Sequence, residues 1–104
     1  MLFFIQCQDR ENVTDLRRAH MDAHKRYVAG ISESIAFAGP LMDSDTRAVS
    51  GSLIVADFES AEAVHTWLER EPFTCAGVYA STTIRVFANR WPQRTGFPVP
   101  AEAQ

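Results

Sequence analysis

The chain has 104 residues, of which 46% are hydrophobic and 22% charged, and carries a formal net charge of −3. That length is one domain with one modest core, and the composition is that of a globular chain, not a disordered or membrane-spanning one. The pI near 5.5 argues against a nucleic-acid partner, which would need a basic stripe; the local cluster of Arg17, Arg18, Lys25 and Arg26 reads as a solvated helix face.

The N-terminal run Leu2 to Gln8, with Phe3, Phe4 and Ile5, reads as a first strand. It has no basic lead and is too short for a signal peptide or membrane span. A helix follows from Thr14 to Ala29, with Asn12 or Thr14 as its cap, Asp15 in the first turn and Gly30 as a stop. Leu16, Ala19, Ala23, Tyr27 and Ile31 form its apolar stripe. His20 falls near the middle of that stripe and His24 toward its edge. Ser34 to Ala38 reads as a second strand closed by Gly39-Pro40, then Leu41 to Ser50 as a loop, and Gly51 to Phe58 as a third strand. Ser60 caps a second helix, which buries Ala61, Val64, Trp67 and Leu68 and ends at Glu71-Pro72. Val78 to Phe87 is the fourth strand. Simple alternation puts Val78, Ala80, Thr82, Ile84 and Val86 on one face, and Tyr79, Ser81, Thr83, Arg85 and Phe87 on the other.

The order β-α-β-β-α-β predicts an α+β ferredoxin-like plait, a four-stranded antiparallel sheet with both helices on one face. The other face, bearing Tyr79 and Phe87, calls for a cover, and a homodimer closing sheet against sheet is the natural one. The domain is expected over 1–90. A tail over 91–104 carries Pro92, Pro98 and Pro100 and is expected to be extended or disordered in isolation and to pack across a dimer partner. Trp67 and Trp91 read as core and dimer-contact residues. The two cysteines, Cys7 and Cys75, make neither a disulfide framework nor a zinc cluster, and reduced thiols fit a cytoplasmic protein.

His20 and His24 lie one helical turn apart, so they share a face. The pair admits three readings: a proton-transfer site, half of a metal site, or ordinary helix residues. Met21 stands where a zincin helix would carry its glutamate, and His65 lies on the other helix, so no metal site is expected. No phosphate loop, nucleotide fingerprint or Ser-His-Asp signature is present, and no cofactor is expected.

Several short segments in order give a resemblance. They are Gln8-Asp9 at the end of the first strand, His24-Lys25-Arg26-Tyr27-Val28, Ala38-Gly39-Pro40, Glu71-Pro72-Phe73 and Ala76-Gly77-Val78-Tyr79. Together the chain resembles the YciI-like (YCII-related) family over residues 1 to about 90. That family is similar in fold to muconolactone isomerases, of the dimeric α+β barrel type. Most of its members have no established reaction, and some are associated with breakdown of chlorinated aromatics. The resemblance implies a histidine and an aspartate facing a cleft. The histidine maps to His24; the aspartate position is Glu71, one methylene longer.

A carboxylate beside an imidazole fixes its tautomer and raises its basicity. His24 is therefore expected to be a general acid or base with Glu71 as its orienting partner. The work would be cofactor-free proton transfer on a small cyclic or aromatic anion, of isomerase, lyase or dehalogenase type. Arg85, on the face of Tyr79, is expected either to bind a substrate carboxylate or phenolate as a planar fork or to pair at the sheet edge with an Asp or Glu of the partner chain. His20, packed at the stripe's centre or lining the cleft, and Asp9 complete the expected substrate contacts. The alternative is a non-catalytic dimeric module that binds a small molecule in the same cleft.

Overall fold

The computed structural model describes residues 1–91. The tail expected over 91–104 therefore lies, beyond Trp91, outside the described residues. The strands are β1 (Leu2–Asp9), β2 (Ile35–Met42), β3 (Val49–Asp57) and β4 (Tyr79–Val86), and the helices are α1 (Thr14–Ala29), α2 (Ala61–Glu69) and α3 (Pro72–Ala76). A 3-10 turn at Ser32–Ser34 leads into β2. The sheet order is β2-β3-β1-β4, with every neighbouring pair antiparallel, which is the expected plait.

Period-two alternation builds the core. Phe3, Ile5 and Cys7 of β1 face the helices and pair with Ala56, Ile54 and Ser52 of β3. Val64 and Leu68 of α2 close over them, and Tyr79, Ile84, Trp67 and Phe58 pack at the margin. Each fully buried aliphatic side chain here is worth roughly 1.5–3 kcal/mol. α2 starts where expected: Ser60 Oγ accepts from the Ala63 amide at 3.1 Å.

The structure corrects the sequence reading at several places. β2 does not stop at Ala38 but runs through Gly39-Pro40 to Met42. Pro40 is tolerated because β2 is an edge strand, where a missing N–H breaks no ladder. The loop shrinks to a turn around Asp43, whose Oδ1 accepts from the Asp45 and Thr46 amides. Those two bonds hold the Asp43 carboxyl below its ordinary range.

Glu71-Pro72 is also more than a stop. Pro72 opens the short helix α3, Glu71 caps it by accepting from the Phe73 amide at 3.1 Å, and Gly77 closes it at φ 80°. Pro is favoured at a first helical position and glycine just past the last. On α1, neither Asn12 nor Thr14 caps; Val13 takes the cap position without a side-chain bond.

β4 does not alternate cleanly, because its register against β1 shifts between Gln8 and Asp9, so Gln8 pairs with Ser81 and Asp9 with Tyr79. A bulge reverses the alternation beyond it. Tyr79 thereby joins the helix-covered face with Ile84, while Arg85, opposite Phe4, stays on the open face. Finally, the α1 stripe differs. Its buried residue is Arg17, and Arg17, Met21, His24 and Val28 line a cavity over β2 and β3. α1 leans on α3, and the Tyr27 ring packs at a tilt against Trp67 while its hydroxyl donates to the Trp67 carbonyl at 2.8 Å.

Burial raises the Cys7 thiol from about 9 to about 11, whereas Cys75 is exposed. Native protein at pH 8 is expected to react with a thiol reagent at one cysteine per chain, and denatured protein at two. Two fast-reacting thiols in the native state would contradict the placement of Cys7. Since the raised value favours the protonated thiol in the fold, its contribution to stability is whole below pH 9 and is lost as pH rises toward 11.

Candidate active site

Glu71 and His24 meet although 47 residues separate them. Glu71 Oε1 lies 2.6 Å from His24 Nδ1. The same oxygen accepts from the Phe73 amide, so the carboxylate is fixed by the backbone before it orients the ring. Glu71 is 1% exposed, and the His24 side chain 17%. The Phe73 ring lies flat against the imidazole, with centroids 4.0 Å apart and planes at 11°. With Nδ1 committed to the carboxylate, Nε2 is the nitrogen left for chemistry. The extra methylene of glutamate, where the resemblance places aspartate, does not prevent the contact, since α3's cap geometry brings the carboxylate to the ring.

His24 lines a cavity of about 190 Å³ together with Arg17, Met21, Pro40 and Ser52. A second, larger cavity of about 660 Å³ shares Arg17, Met21 and Pro40 with it. Arg17 is buried on α1. Its Nε donates to Asp9 Oδ2 at 2.6 Å, and Nη2 donates to Asp9 Oδ1 at 3.1 Å and to Ser52 Oγ at 2.9 Å. Its guanidinium carbon sits 4.7 Å from the Phe73 centroid. Tyr79 meets Phe73 edge-on at 6.0 Å and donates its hydroxyl to Ser52 Oγ at 3.0 Å. Burial pushes the Tyr79 phenol far above its ordinary range, so it stays protonated.

Of the residues singled out from sequence, His24, Glu71, Tyr79 and Asp9 converge here, Tyr79 and Asp9 through Ser52 and Arg17. Arg85 does not: it is exposed on the opposite face of the sheet, because the β4 bulge separates its parity from that of Tyr79. His20 is half-buried, lines neither cavity and makes no hydrogen bond among the described residues. Among the described residues, no group of three or more His, Cys, Asp or Glu is placed to hold a metal ion.

Arg17, Ser52 and Phe73 were missed from sequence. A signal for Arg17 existed: it stands four and seven residues before Met21 and His24, the spacing of one helical face. Its basic neighbours Arg18, Lys25 and Arg26 mask that signal.

Comparison with known proteins gives a consistent result. The model of the YCII-related domain matches residues 1–88. The chain is similar to Protein YciI of Escherichia coli O6:H1 (strain CFT073), at 29% identity over 94 residues covering 84% of this chain and 96% of that protein. An uncharacterized protein of Haemophilus influenzae (strain Rd) matches with the same identity and coverage. Among solved structures, the chain is similar to 5-chloro-2-hydroxyhydroquinone dehydrochlorinase (TftG) from Burkholderia phenoliruptrix AC1100, in complex with 2,5-dihydroxybenzoquinone. The TM-score is 0.81 and the identity 30%, over 85% of this chain and 94% of that one.

Proposed function

The chain belongs to the YCII-related domain family, and on that premise we propose that it is a cofactor-independent acid–base enzyme acting on a small hydroxylated ring. The observation that carries the reading is the 2.6 Å contact between Glu71 and His24 at the wall of a cavity. The similar dehydrochlorinase, solved with a dihydroxybenzoquinone, supports an aromatic or quinonoid substrate.

The chemistry follows from the ring's two nitrogens. Glu71 accepts from Nδ1–H, which leaves Nε2 with its lone pair toward the substrate. Nε2 takes the proton of a ring hydroxyl, and the electron pair left on oxygen enters the ring. A ring carbon then takes the proton back from Nε2–H, giving the keto tautomer. That outcome is an isomerisation. Where the same carbon bears a leaving group, a second deprotonation at a ring hydroxyl sends the electron pair out with that group. The net loss is HX and the product a quinone. The carboxylate stabilises the imidazolium formed in each proton transfer.

Glu71→Gln tests the pair. The amide can still accept from the Phe73 amide, so the cap survives, but it no longer stabilises a charged ring. Turnover on hydroxylated, chlorinated rings is expected to fall by about a hundredfold or more, with little change in KM. Nitrogen NMR of the wild type is expected to show His24 protonated at Nδ1. Full activity in Glu71→Gln would contradict the assignment, and conversion-free binding by the wild type would favour a non-catalytic module.

The assembly follows from the open face of the sheet. Phe4 and Phe37 flank the buried Val55 there, and Phe37 remains 43% exposed. Such a patch marks an association surface, and the reading includes two chains closing it. Light scattering is expected to give twice the 11.6 kDa chain mass, and Phe37→Asp a single chain. A wild type of one chain mass would contradict it.

A further inference from the structure

The two ends of the His24 cavity differ in chemistry. Arg17, Met21 and Pro40 line both this cavity and the larger one, so that end is where the two spaces adjoin. Val28, Ala38 and Ile54 line the smaller cavity alone, which places them at the end away from the larger one. The strand register agrees. Pro40 pairs with Ser52, and Ala38 pairs with Ile54 two residues further along β3, a step of about 7 Å. On α1, Val28 stands one helical turn beyond His24, about 6 Å along the axis. The side chains at this end are therefore aliphatic, whereas Arg17 and Ser52 meet at the other. Lys25, beside His24, is the remaining charged residue of the lining and is exposed.

The apolar end is open because of what stands on β2. α1 leans on α3, and β2, the edge strand, offers this face only Ala38 and Pro40. Further into the same face, Phe3, Ile5 and Ile54 fill the space beneath the helices. Ala38 does not: it remains exposed beside the buried Ile54. Interiors are close-packed, so a gap left by a side chain this small is room for something else. An apolar cavity of about 150 Å³ takes a benzene ring. At about 190 Å³, this one has room for a six-membered ring and one small substituent.

We propose that Val28, Ala38 and Ile54 form a substituent pocket, which takes one apolar group of methyl or chlorine size on the ring that His24 works on, with Ala38 setting the size limit. This rests on the acid–base reading and deepens it, since His24 lies between this pocket and the larger cavity's end. The group points away from the larger cavity and is read by size and polarity, with no hydrogen bond to it. A ring without such a group leaves the aliphatic end unfilled.

The test is binding of four hydroquinones to the full chain by titration calorimetry in the absence of air: unsubstituted, methyl, chloro and tert-butyl. All four free ring positions of hydroquinone are equivalent, so one substituent raises no question of position. Wild type is expected to bind methyl- and chlorohydroquinone alike, each about tenfold or more tighter than hydroquinone, and to reject the tert-butyl compound. Ala38→Leu fills the pocket from an exposed edge position, where leucine does not disturb the core. It is expected to bring the methyl-to-unsubstituted ratio close to one. Ala80→Leu, the same change at an exposed site on β4 at the opposite sheet edge, is expected to keep the wild-type ratio. Val28→Ala enlarges the pocket and is expected to admit tert-butylhydroquinone, a gain that mere loss of packing does not produce. A wild-type ratio near one, a ratio unchanged in Ala38→Leu, a tenfold preference for chloro over methyl, or no binding of any of the four would overturn the pocket. The two readings fail separately. An Ala38-dependent ratio with His24-independent turnover keeps the pocket and removes the acid–base role. A wild-type ratio near one with His24-dependent turnover does the reverse.

Discussion

His24→Ala is expected to lower turnover on a hydroxylated ring by about 10²–10⁴-fold, the span a positioned acid–base group supplies. The chain's other histidines do not compensate, because His20 lines neither cavity and His65 is exposed on α2. Alanine also opens a space the size of an imidazole beside Phe73. Added imidazole is expected to restore part of the rate to His24→Ala, and none to a variant whose carboxylate partner is also gone. Glu71, 1% exposed, loses its ring partner in that variant, so His24→Gln is the companion substitution: it keeps a donor for the carboxylate and lacks a base. Both are expected to show that loss of turnover, with His24→Gln the more stable. Turnover within threefold of wild type in either would contradict the assigned role.

Phe73→Ala is expected to be the most destabilising single change near the site. Phe73 is fully buried, and truncating such a ring costs about 3–5 kcal/mol. In a domain of this size each kcal/mol moves Tm by roughly 4–8 °C, so calorimetry should show Tm falling by more than about 12 °C. The cost is large because one ring serves three neighbours. His24 stacks on it, Arg17 lies over it and Tyr79 meets its edge. Phe73→Leu separates packing from orientation. Leucine retains most of the buried apolar volume, so stability should largely return, while the flat support for the imidazole is lost and kcat should stay low. A Tm within 3 °C of wild type for Phe73→Ala would show that α3 is not the anchor described here.

What the sequence disclosed, and what it hid, divides along the range of the interaction. α1 is bounded at Thr14 and Ala29 as expected, and β1 begins as read, because those ends follow from local pattern and propensity. Pro40 misled because tolerance for proline depends on lying at a sheet edge, a fact about strand order. Tyr79 and Arg85 were placed on one face because a bulge is invisible in strict alternation. Arg17 was set among solvated charges because its burial depends on Asp9 and Ser52, which arrive from two other strands. Glu71 is legible as a carboxylate before a proline; its service as both helix cap and histidine partner is not, since it depends on α3 bringing Glu71 and Phe73 against His24 of α1.

The measurement closest to the central claim is exchange of ring hydrogens with solvent deuterium, followed by proton NMR on a trihydroxybenzene incubated with the protein. It reads proton transfer between oxygen, His24 Nε2 and ring carbon without needing a leaving group or a known product. Wild-type protein is expected to accelerate exchange at carbons adjacent to a hydroxyl, Glu71→Gln to slow it and His24→Ala to abolish the acceleration. Equal exchange rates with wild type and His24→Ala would contradict it.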